Sequence, residues 1–178
     1  MPPLAAAFDL QGHRGARGLM PENTLPAFER ALAIGVTTLE LDTGITADGV
    51  VVVSHDPVLN PDLVRGPDGQ WLTVPAPIRS LTWTQLQTYD VGRLRPGSRY
   101  AQQFPNQQPI DSTRMPRLAD VLARVKAMGA DAVQFNIETK IDPRRPDATL
   151  APEPYVKALL AVIRAHGMEE RVMVQSFD

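Results

Sequence analysis

The segment LELD, residues 39–42, places two carboxylates, Glu40 and Asp42, inside an apolar run. Side chains two positions apart on a β-strand point to the same face, so both carboxylates are predicted to face one side of a strand. Two anions this close need protons or a cation, and a hard divalent ion is the usual compensation. The alternative is a solvent-facing acidic pair, because acidic side chains are mostly exposed.

A histidine follows the next apolar segment, VVVVSHD, residues 50–56. If residues 48–49 form a two-residue hairpin turn, the register brings His55 opposite Asp42 on the same face. A three-residue turn would shift the register by one and remove this match. A lone histidine at this position would be structural. Beside two carboxylates, His55 is a candidate acid or base, because a neighbouring anion favours the protonated imidazole.

A third polar face is predicted in FNIETK, residues 135–140, where Asn136, Glu138 and Lys140 share one face of a strand. Buried charges need partners, so an ion pair between Glu138 and Lys140 is one interpretation. The functional interpretation makes Glu138 a third carboxylate on the metal and Lys140 a contact for an anionic substrate. Asn136 would support this site.

The stretch LQGHRGARGLMPENTLPAF, residues 10–28, places His13 and Arg14 between a short strand and a helix start. In α/β proteins this edge of the sheet is where ligands bind. Arg14 can hold phosphate oxygens in a bidentate fork, while His13 can take or give a proton. Arg17 is expected to be a solvated loop side chain. His166 falls in the last turn of a helix, where a cation favours the dipole, and receives no catalytic role.

A charge count favours an anionic substrate. Glu40, Asp42 and Glu138 contribute three negative charges, whereas a divalent ion, Arg14 and Lys140 contribute four positive ones. The remainder, about one positive charge, suits a phosphodiester monoanion better than a neutral substrate.

These residues are positioned by alternating strands and helices. Helices are predicted where apolar residues recur at helical spacing, and three end at a glycine. The first is capped by Asn23 or Thr24. Strands alternating with helices predict a largely parallel sheet with helices outside. The predicted strands start near Phe8, Thr38, Val50, Val133 and Val172, and the predicted helices cover residues 24–35, 118–129 and 155–166.

Residues 57–116 are rich in proline, glycine, asparagine and glutamine. We call this segment the excursion. Its composition predicts a long loop region with at most one short helix, near LTWTQLQTYD at residues 81–90. The sequence stops one residue after an apolar strand with no helix to cover it, which is the pattern of a chain truncated at its C-terminus.

Length and composition narrow the class of protein. A chain of 178 residues with 43% hydrophobic residues fits a single domain with its own core. A net charge of -2 gives no reason to expect nucleic acid or an anionic membrane as partner. Cysteine is absent, so thiol chemistry is excluded. No apolar run is long enough to span a bilayer. The sequence does not indicate an oligomeric state.

The first residues, MPPLAAAF, are compatible with two locations. They have no basic region, and their apolar run is too short for a signal peptide. The alanines could be the remnant beside a cleavage site, which would indicate a periplasmic or secreted protein. Otherwise the protein would be cytoplasmic.

Three motifs together resemble the glycerophosphodiester phosphodiesterase family: HRGARGLMPENT, ELDTGITADGVVVVSHDP and FNIETK. The final QSFD is similar to the next strand of that family, so the resemblance runs from about residue 11 to residue 178. It implies one catalytic domain over residues 1–178, truncated at the C-terminus, with an insertion at about 57–116.

The resemblance implies a fold and an activity. The fold is a TIM-type (β/α)8 barrel of the phospholipase C-like phosphodiesterase kind, of which this chain supplies about five strands. The activity is hydrolysis of glycerophosphodiesters, such as deacylated phospholipids, to glycerol 3-phosphate and an alcohol. A complete barrel needs eight strands and about 250 residues. The excursion is similar to the insertion of longer, often exported members, where it covers the substrate pocket.

The resemblance also implies roles for individual residues. Glu40, Asp42 and Glu138 match the ligands of a divalent ion, Mg²⁺ or Ca²⁺, and oxygen ligands suit either. The remaining matches are two catalytic histidines, His13 and His55; two phosphate contacts, Arg14 and Lys140; an acidic residue near the metal, Glu22; and a loop-supporting Asn23. The motifs assign neither histidine as the acid or the base. The nucleophile would be water or the glycerol hydroxyl of the substrate.

Two other functions fit parts of the pattern. A sphingomyelinase-D-like phospholipase shares the arrangement of histidines and carboxylates, although the absence of cysteine and the presence of PENT argue against it. The second is an incomplete, non-catalytic fragment that binds phosphate.

Overall fold

The structure is a computed structural model that describes residues 8–142 and 146–177. The alanine run at residues 5–7 and the last residue of the QSFD motif lie outside the described residues.

The helices and strands follow one another as the alternating pattern predicts, with small additional elements in the excursion. No helix in the described part of the chain combines the length and apolar character needed to cross a bilayer. In chain order the elements are β1 Gln11–Gly12, α1 Leu25–Ile34, β2 Thr38–Ile45, β3 Val51–Val53, β4 Val58–Leu59, β5 Ala76–Pro77, α2 Trp83–Leu86, α3 Arg99–Gln103, α4 Leu118–Ala127, β6 Gln134–Thr139, α5 Pro152–Ala165 and β7 Val172–Ser176.

The main sheet is mostly parallel, which confirms the predicted α/β class. Strands β1, β2, β6 and β7 lie side by side in that order and run parallel, and β3 pairs antiparallel with β2. The parallel register places Glu40 beside Asn136 and Asp42 beside Glu138. The first strand begins at Gln11, later than the predicted start near Phe8.

The hairpin between β2 and β3 does not have the predicted register. Ile45 pairs with Val51, so the loop spans residues 46–50 and is longer than a two-residue turn. The side chain of Thr46 explains the longer loop, because its hydroxyl accepts a hydrogen bond from Val50 N at 2.9 Å. In this register Ser54, not His55, donates its backbone N–H to Asp42 O, at 3.0 Å. The predicted pairing of His55 with Asp42 is therefore wrong.

The first helix has the ends that its sequence predicts. Thr24 is the N-cap, with extended backbone and a side chain that accepts from Ala27 N. Asn23, the other candidate cap, has a φ of 55° and is not extended. Gly35 ends α1 at a φ of 94°, the left-handed conformation that glycine adopts without a Cβ clash.

Helices α1, α4 and α5 cover one face of the sheet. Alternation along β2 turns Leu39 and Leu41 toward these helices, where they are fully buried in one cluster with Phe28 and Leu122. The same alternation turns Glu40 and Asp42 to the opposite face. Burial on the helical face therefore fixes the direction in which the carboxylates point.

The excursion is more ordered than its composition predicts. A helix near residues 81–90 is present as α2, but α3 and the small sheet of β4 and β5 were not predicted. A second apolar cluster lies under the excursion, and Val52 of β3 joins it from the sheet. Its other fully or nearly buried members are Leu59, Val64, Ile78, Leu86 and Met115. The excursion thus packs against the sheet around a small core of its own.

Candidate functional site

Three carboxylates meet on the sheet face that the helices leave free. Glu40, Asp42 and Glu138 each offer an oxygen that lies within 4.8 Å of the others. Their exposed fractions are only 6%, 1% and 7%. The prediction that Glu40 and Asp42 share a face with Glu138 is confirmed, and the alternative of a solvent-facing acidic pair is wrong.

This cluster carries more negative charge than its surroundings balance. Asp42 Oδ1 is buried and accepts no hydrogen bond from a described residue, although Lys140 Nζ lies 3.0 Å away without the angles of one. Burial, together with the nearby charge of Asp42, raises the pKa of Glu40 to about 7. A divalent ion bonds carboxylate oxygens at about 2.0–2.6 Å, so oxygens within 4.8 Å of one another can share one ion. The donor set therefore fits a hard divalent cation.

The backbone of the loop between β1 and α1, residues 13–24, contacts the carboxylate cluster. Arg14 has a φ of 53°, and its N–H donates to Glu40 Oε2 at 2.7 Å. Gly15 follows with a φ of 77°, and a Cβ there would lie 2.7 Å from the carbonyl carbon of Ala27. Two consecutive left-handed residues thus turn the backbone toward the carboxylates.

The side chain of Arg14 is buried among acidic groups. Its Nη1 donates to Glu22 Oε1 at 2.9 Å and to the Tyr100 hydroxyl at 3.2 Å, and its Nε lies 3.4 Å from Asp42 Oδ2. Asn23 Nδ2 donates to the same Asp42 oxygen at 2.9 Å. Glu22 therefore adds a negative charge that the sequence-based count omitted, and the predicted surplus of positive charge is offset before the histidines are considered.

Lys140 forms the ion pair that one interpretation of its strand predicts. Its Nζ forms an ion pair with Glu138 and also lies 3.0 Å from Asp42 Oδ1. Asn136 lies two residues before Glu138 on β6. Its Nδ2 donates to Gln11 Oε1 at 3.1 Å and to Gln175 Oε1 at 2.9 Å. The ion pair therefore lies within the acidic cluster. Hydrogen bonds among the side-chain amides of Gln11, Asn136 and Gln175 link β1, β6 and β7 beside it.

His55 is oriented by its neighbour in sequence. Its Nδ1 lies 2.9 Å from Asp56 Oδ1, and Asn60 Nδ2 donates to Asp56 Oδ2 at 2.7 Å. Burial tends to raise the pKa of Asp56, but the hydrogen bonds from His55 and Asn60 hold that pKa below its ordinary value. Because an ionised carboxylate only accepts hydrogen bonds, the Nδ1 of His55 carries the proton and Nε2 is left free.

His13 lies on the other side of the cluster in a cationic environment. Its Nε2 is 3.9 Å from Glu40 Oε2, and its Nδ1 is 3.0 Å from Nη2 of Arg17. Desolvation and the charges of Arg17 and Arg14 lower the pKa of His13. Arg17 is therefore engaged with the site, which corrects the prediction of a solvated side chain.

Both histidines, two of the three carboxylates and two cationic side chains line one open cleft of about 490 Å³. Asp42, Glu22 and Asn23 lie outside its wall, with Asp42 buried behind it. His166 ends α5 and does not reach the cleft. The lining comprises Gln11, His13, Arg14, Glu40, His55, Asn136, Glu138, Lys140, Gln175 and Phe177.

Tyr100 was not predicted as part of the site. Its hydroxyl donates to Glu22 and lies 3.4 Å from Arg17 Nη1. Burial and the charge of Glu22 raise the pKa of Tyr100. The only sequence signal for Asp56 was its position next to His55, and nothing in the pattern of the excursion singles out Tyr100.

Comparisons with known proteins place the chain in a family. A model of the Glycerophosphoryl diester phosphodiesterase family matches residues 13–178. A glycerophosphodiester phosphodiesterase of Caldanaerobacter subterraneus subsp. tengcongensis is 30% identical over 166 residues, which cover 93% of this chain and 56% of that protein. The chain therefore spans little more than half the length of this relative.

Two solved structures have a similar fold. A Silicibacter pomeroyi DSS-3 protein, provisionally assigned as a glycerophosphoryl diester phosphodiesterase, superposes with a TM-score of 0.88 at 39% identity, covering 94% of this chain and 57% of that one. An Oleispira antarctica phosphodiesterase, solved with the product sn-glycerol-3-phosphate, superposes with a TM-score of 0.66 at 23% identity, covering 96% and 58%. At the lower identity the likeness concerns the fold alone.

Proposed function

The chain belongs to the glycerophosphoryl diester phosphodiesterase family, and we propose that it hydrolyses glycerophosphodiesters to glycerol 3-phosphate and an alcohol with the help of a divalent ion. One observation carries the proposal: three buried carboxylate oxygens lie within 4.8 Å of one another beside two imidazoles and two cationic side chains. The family description, which names glycerophosphoryl diesters, supports the choice of substrate.

The acidic cluster is the proposed metal site. Glu40, Asp42 and Glu138 would hold Mg²⁺ or Ca²⁺ through oxygen atoms, the ligands that both ions prefer. Asp42 Oδ1 accepts no hydrogen bond from a described residue, although Lys140 Nζ lies 3.0 Å away, so it is the oxygen that would gain most from an ion. When bound, such an ion polarises a phosphoryl oxygen and stabilises the charge that develops on it.

We assign different tasks to the two histidines. His55 is the proposed general base, because Asp56 holds its Nδ1 proton and leaves Nε2 free to accept a proton from the nucleophile. His13 is the proposed donor to the leaving alkoxide oxygen. As the nucleophile bonds to phosphorus, the bond from phosphorus to that oxygen breaks.

The substrate phosphate would lie between the histidines. Arg14 and Lys140 both line the cleft and both pair with a carboxylate, but the side chain of Lys140 is more exposed, 16% against 9%, which makes it the stronger candidate for a phosphate contact. Arg14 would contribute mainly as a fixed positive charge beside the phosphate.

We further propose that the sheet is part of a TIM-type barrel. The parallel strands, the helices on one face and the site on the face of β2 and β6 that the helices leave free support this fold. The chain would form one catalytic domain over residues 1–178, with the insertion at about 57–116.

The proposed activity predicts a metal-dependent turnover. We expect the protein to release glycerol 3-phosphate from glycerophosphocholine, to lose this activity with EDTA, and to regain it with Mg²⁺ or Ca²⁺. Turnover that persists in EDTA would contradict the proposed metal role. No turnover with either ion would favour the non-catalytic fragment.

Binding of the ion should depend on pH through Glu40. The raised pKa means that folding of the metal-free protein favours the protonated carboxyl. The free energy of unfolding therefore falls as pH rises from 4.5 to about 7. An ion must displace that proton below about pH 7, so we expect Mg²⁺ or Ca²⁺ to raise the melting temperature more at pH 8 than at pH 6.

Calorimetry of the parent and of Glu40→Gln at both pH values checks this expectation. The amide resembles the protonated carboxyl and can still accept from Arg14 N, so the variant should fold but gain little from the ion. An equal gain at pH 6 and pH 8 in the parent would argue against Glu40 as a ligand.

A further inference from the structure

One arm of the excursion, residues 98–108, packs on the loop between β1 and α1. Gln108 N donates to Leu19 O at 2.8 Å, and Gln107 Nε2 donates to Arg17 O at 2.8 Å. Tyr100 and Phe104 have ring centroids 5.3 Å apart. The arm is thus fastened to the loop by backbone and side-chain contacts.

The arm also holds the guanidinium of Arg17. The carbon Cζ of Arg17 lies 4.6 Å from the centroid of the Phe104 ring, within the range of a cation–π interaction. Nη1 donates to the Tyr100 hydroxyl at 3.4 Å, while Nη2 reaches His13 Nδ1 at 3.0 Å. One planar group therefore bridges the arm and the histidine.

The chemistry of arginine fixes the direction of the contact with His13. A guanidinium has five N–H donors and no acceptor, so His13 Nδ1 must be the acceptor. An imidazole that accepts at Nδ1 carries its proton on Nε2. That nitrogen is the one on the side of Glu40.

We propose that Arg17, held by residues 98–108 of the excursion, is a positioning residue that orients His13 so that its Nε2–H faces the cleft. The catalytic consequence rests on the proposed function: His13 would donate a hydrogen bond from Nε2 to the leaving alkoxide oxygen and keep its own proton. The proton that finally neutralises the alkoxide would then come from water, and the proton on His55 Nε2 would return to water.

This role differs from that of a phosphate contact. A phosphate-binding arginine mainly affects KM, because it holds the substrate and the transition state alike. A residue that orients a catalytic group mainly affects kcat. We therefore expect Arg17→Met to lower kcat about 10- to 100-fold, the range for partners that orient a functional histidine, with KM almost unchanged.

Three further variants separate the contacts. Arg17→Lys keeps a cationic donor and should recover part of the lost kcat. Phe104→Leu keeps the apolar contact with the arm but removes the ring under Arg17, so it should lose less than Arg17→Met. Arg99→Met is the matched control, because Arg99 is an exposed arginine on the same arm, and it should resemble the parent.

Ring ¹⁵N spectra test the positioning without any turnover. The chain has three histidines, so the signals can be assigned with single replacements. In the metal-free parent at pH 8, His13 should show Nδ1 as a hydrogen-bonded, unprotonated nitrogen and Nε2 as the protonated one. Arg17→Met should shift the His13 Nδ1 signal and leave the signals of His55 and His166 in place.

The outcomes distinguish the two proposals. A protonated Nδ1 on His13, or a Nδ1 signal that ignores Arg17→Met, would overturn the positioning role whatever the activity. A rise in KM at constant kcat would make Arg17 a phosphate contact instead. Absence of turnover in the parent would contradict the proposed function and leave the spectra to decide on Arg17.

Discussion

His55→Ala is expected to lower kcat by about 10²- to 10⁴-fold, the contribution of a well-placed general acid or base. The Nδ1 of His55 lies 2.9 Å from Asp56 Oδ1, and Asn60 Nδ2 donates a hydrogen bond to Asp56 Oδ2 at 2.7 Å. Only the loop after β3 would lose a contact, so the melting temperature should change little. Release of glycerol 3-phosphate from glycerophosphocholine, measured over a range of substrate concentrations, gives kcat and KM separately.

The chain offers a control of the same type for this variant. His166 ends α5 outside the cleft, so His166→Ala should retain the kcat of the parent. The kcat of Asp56→Asn should lie between those of His55→Ala and His166→Ala, because an amide can fix the wrong tautomer of His55 without removing the ring. An unchanged kcat in His55→Ala would remove this residue from the mechanism, and equal losses in both histidine variants would indicate an unspecific effect.

The carboxylate cluster was predictable because it depends on local geometry. The period of two along a strand placed Glu40 with Asp42, and Asn136 with Glu138. The parallel pairing of β2 and β6 then put the two pairs side by side. The apolar residues between them fixed the face, since a slip of one residue would bury the charges among the helices.

The position of His55 could not be predicted from the geometry of the strands alone. The predicted register required a two-residue turn, but the hydroxyl of Thr46 stabilises a longer loop. His55 nevertheless reaches the cleft, because it lies beyond the last residue of β3 and is no longer bound by the pairing. The pairing with Asp42 that was predicted to bring His55 to the site is wrong, and the catalytic role of His55 stays a prediction.

The contribution of the excursion could not be derived from pattern alone. Tyr100 and Phe104 lie more than 75 residues beyond the loop that they contact, in a segment without clear apolar periodicity. The excursion that carries them packs on the sheet through a second core, in which Val52 of β3 lies with Leu59 and Ile78. Contacts between residues this far apart in sequence depend on tertiary packing, and they produce no periodic pattern of apolar residues.

Glu138→Gln is expected to lower kcat/KM by about 10³-fold, since a bound ion supplies several kcal/mol of transition-state stabilisation. Glu138 is one of three carboxylates whose oxygens lie within 4.8 Å, and an amide is a weaker ligand for Mg²⁺ or Ca²⁺. The ion should therefore no longer raise the melting temperature. Turnover with increasing concentrations of the ion, together with calorimetry, measures both effects.

The same variant decides between the two interpretations of Glu138. If Glu138 served only as the partner of Lys140, its replacement would destabilise the metal-free protein by up to about 3–5 kcal/mol, as expected for a buried pair, and activity would remain. If it is a metal ligand, removal of one charge relieves repulsion with Asp42, so the metal-free protein should be as stable as the parent or more stable. Glu170→Gln, at an exposed position before β7, controls for the change of side chain. Lost activity combined with retained or increased metal-free stability is the result that only a ligand role explains.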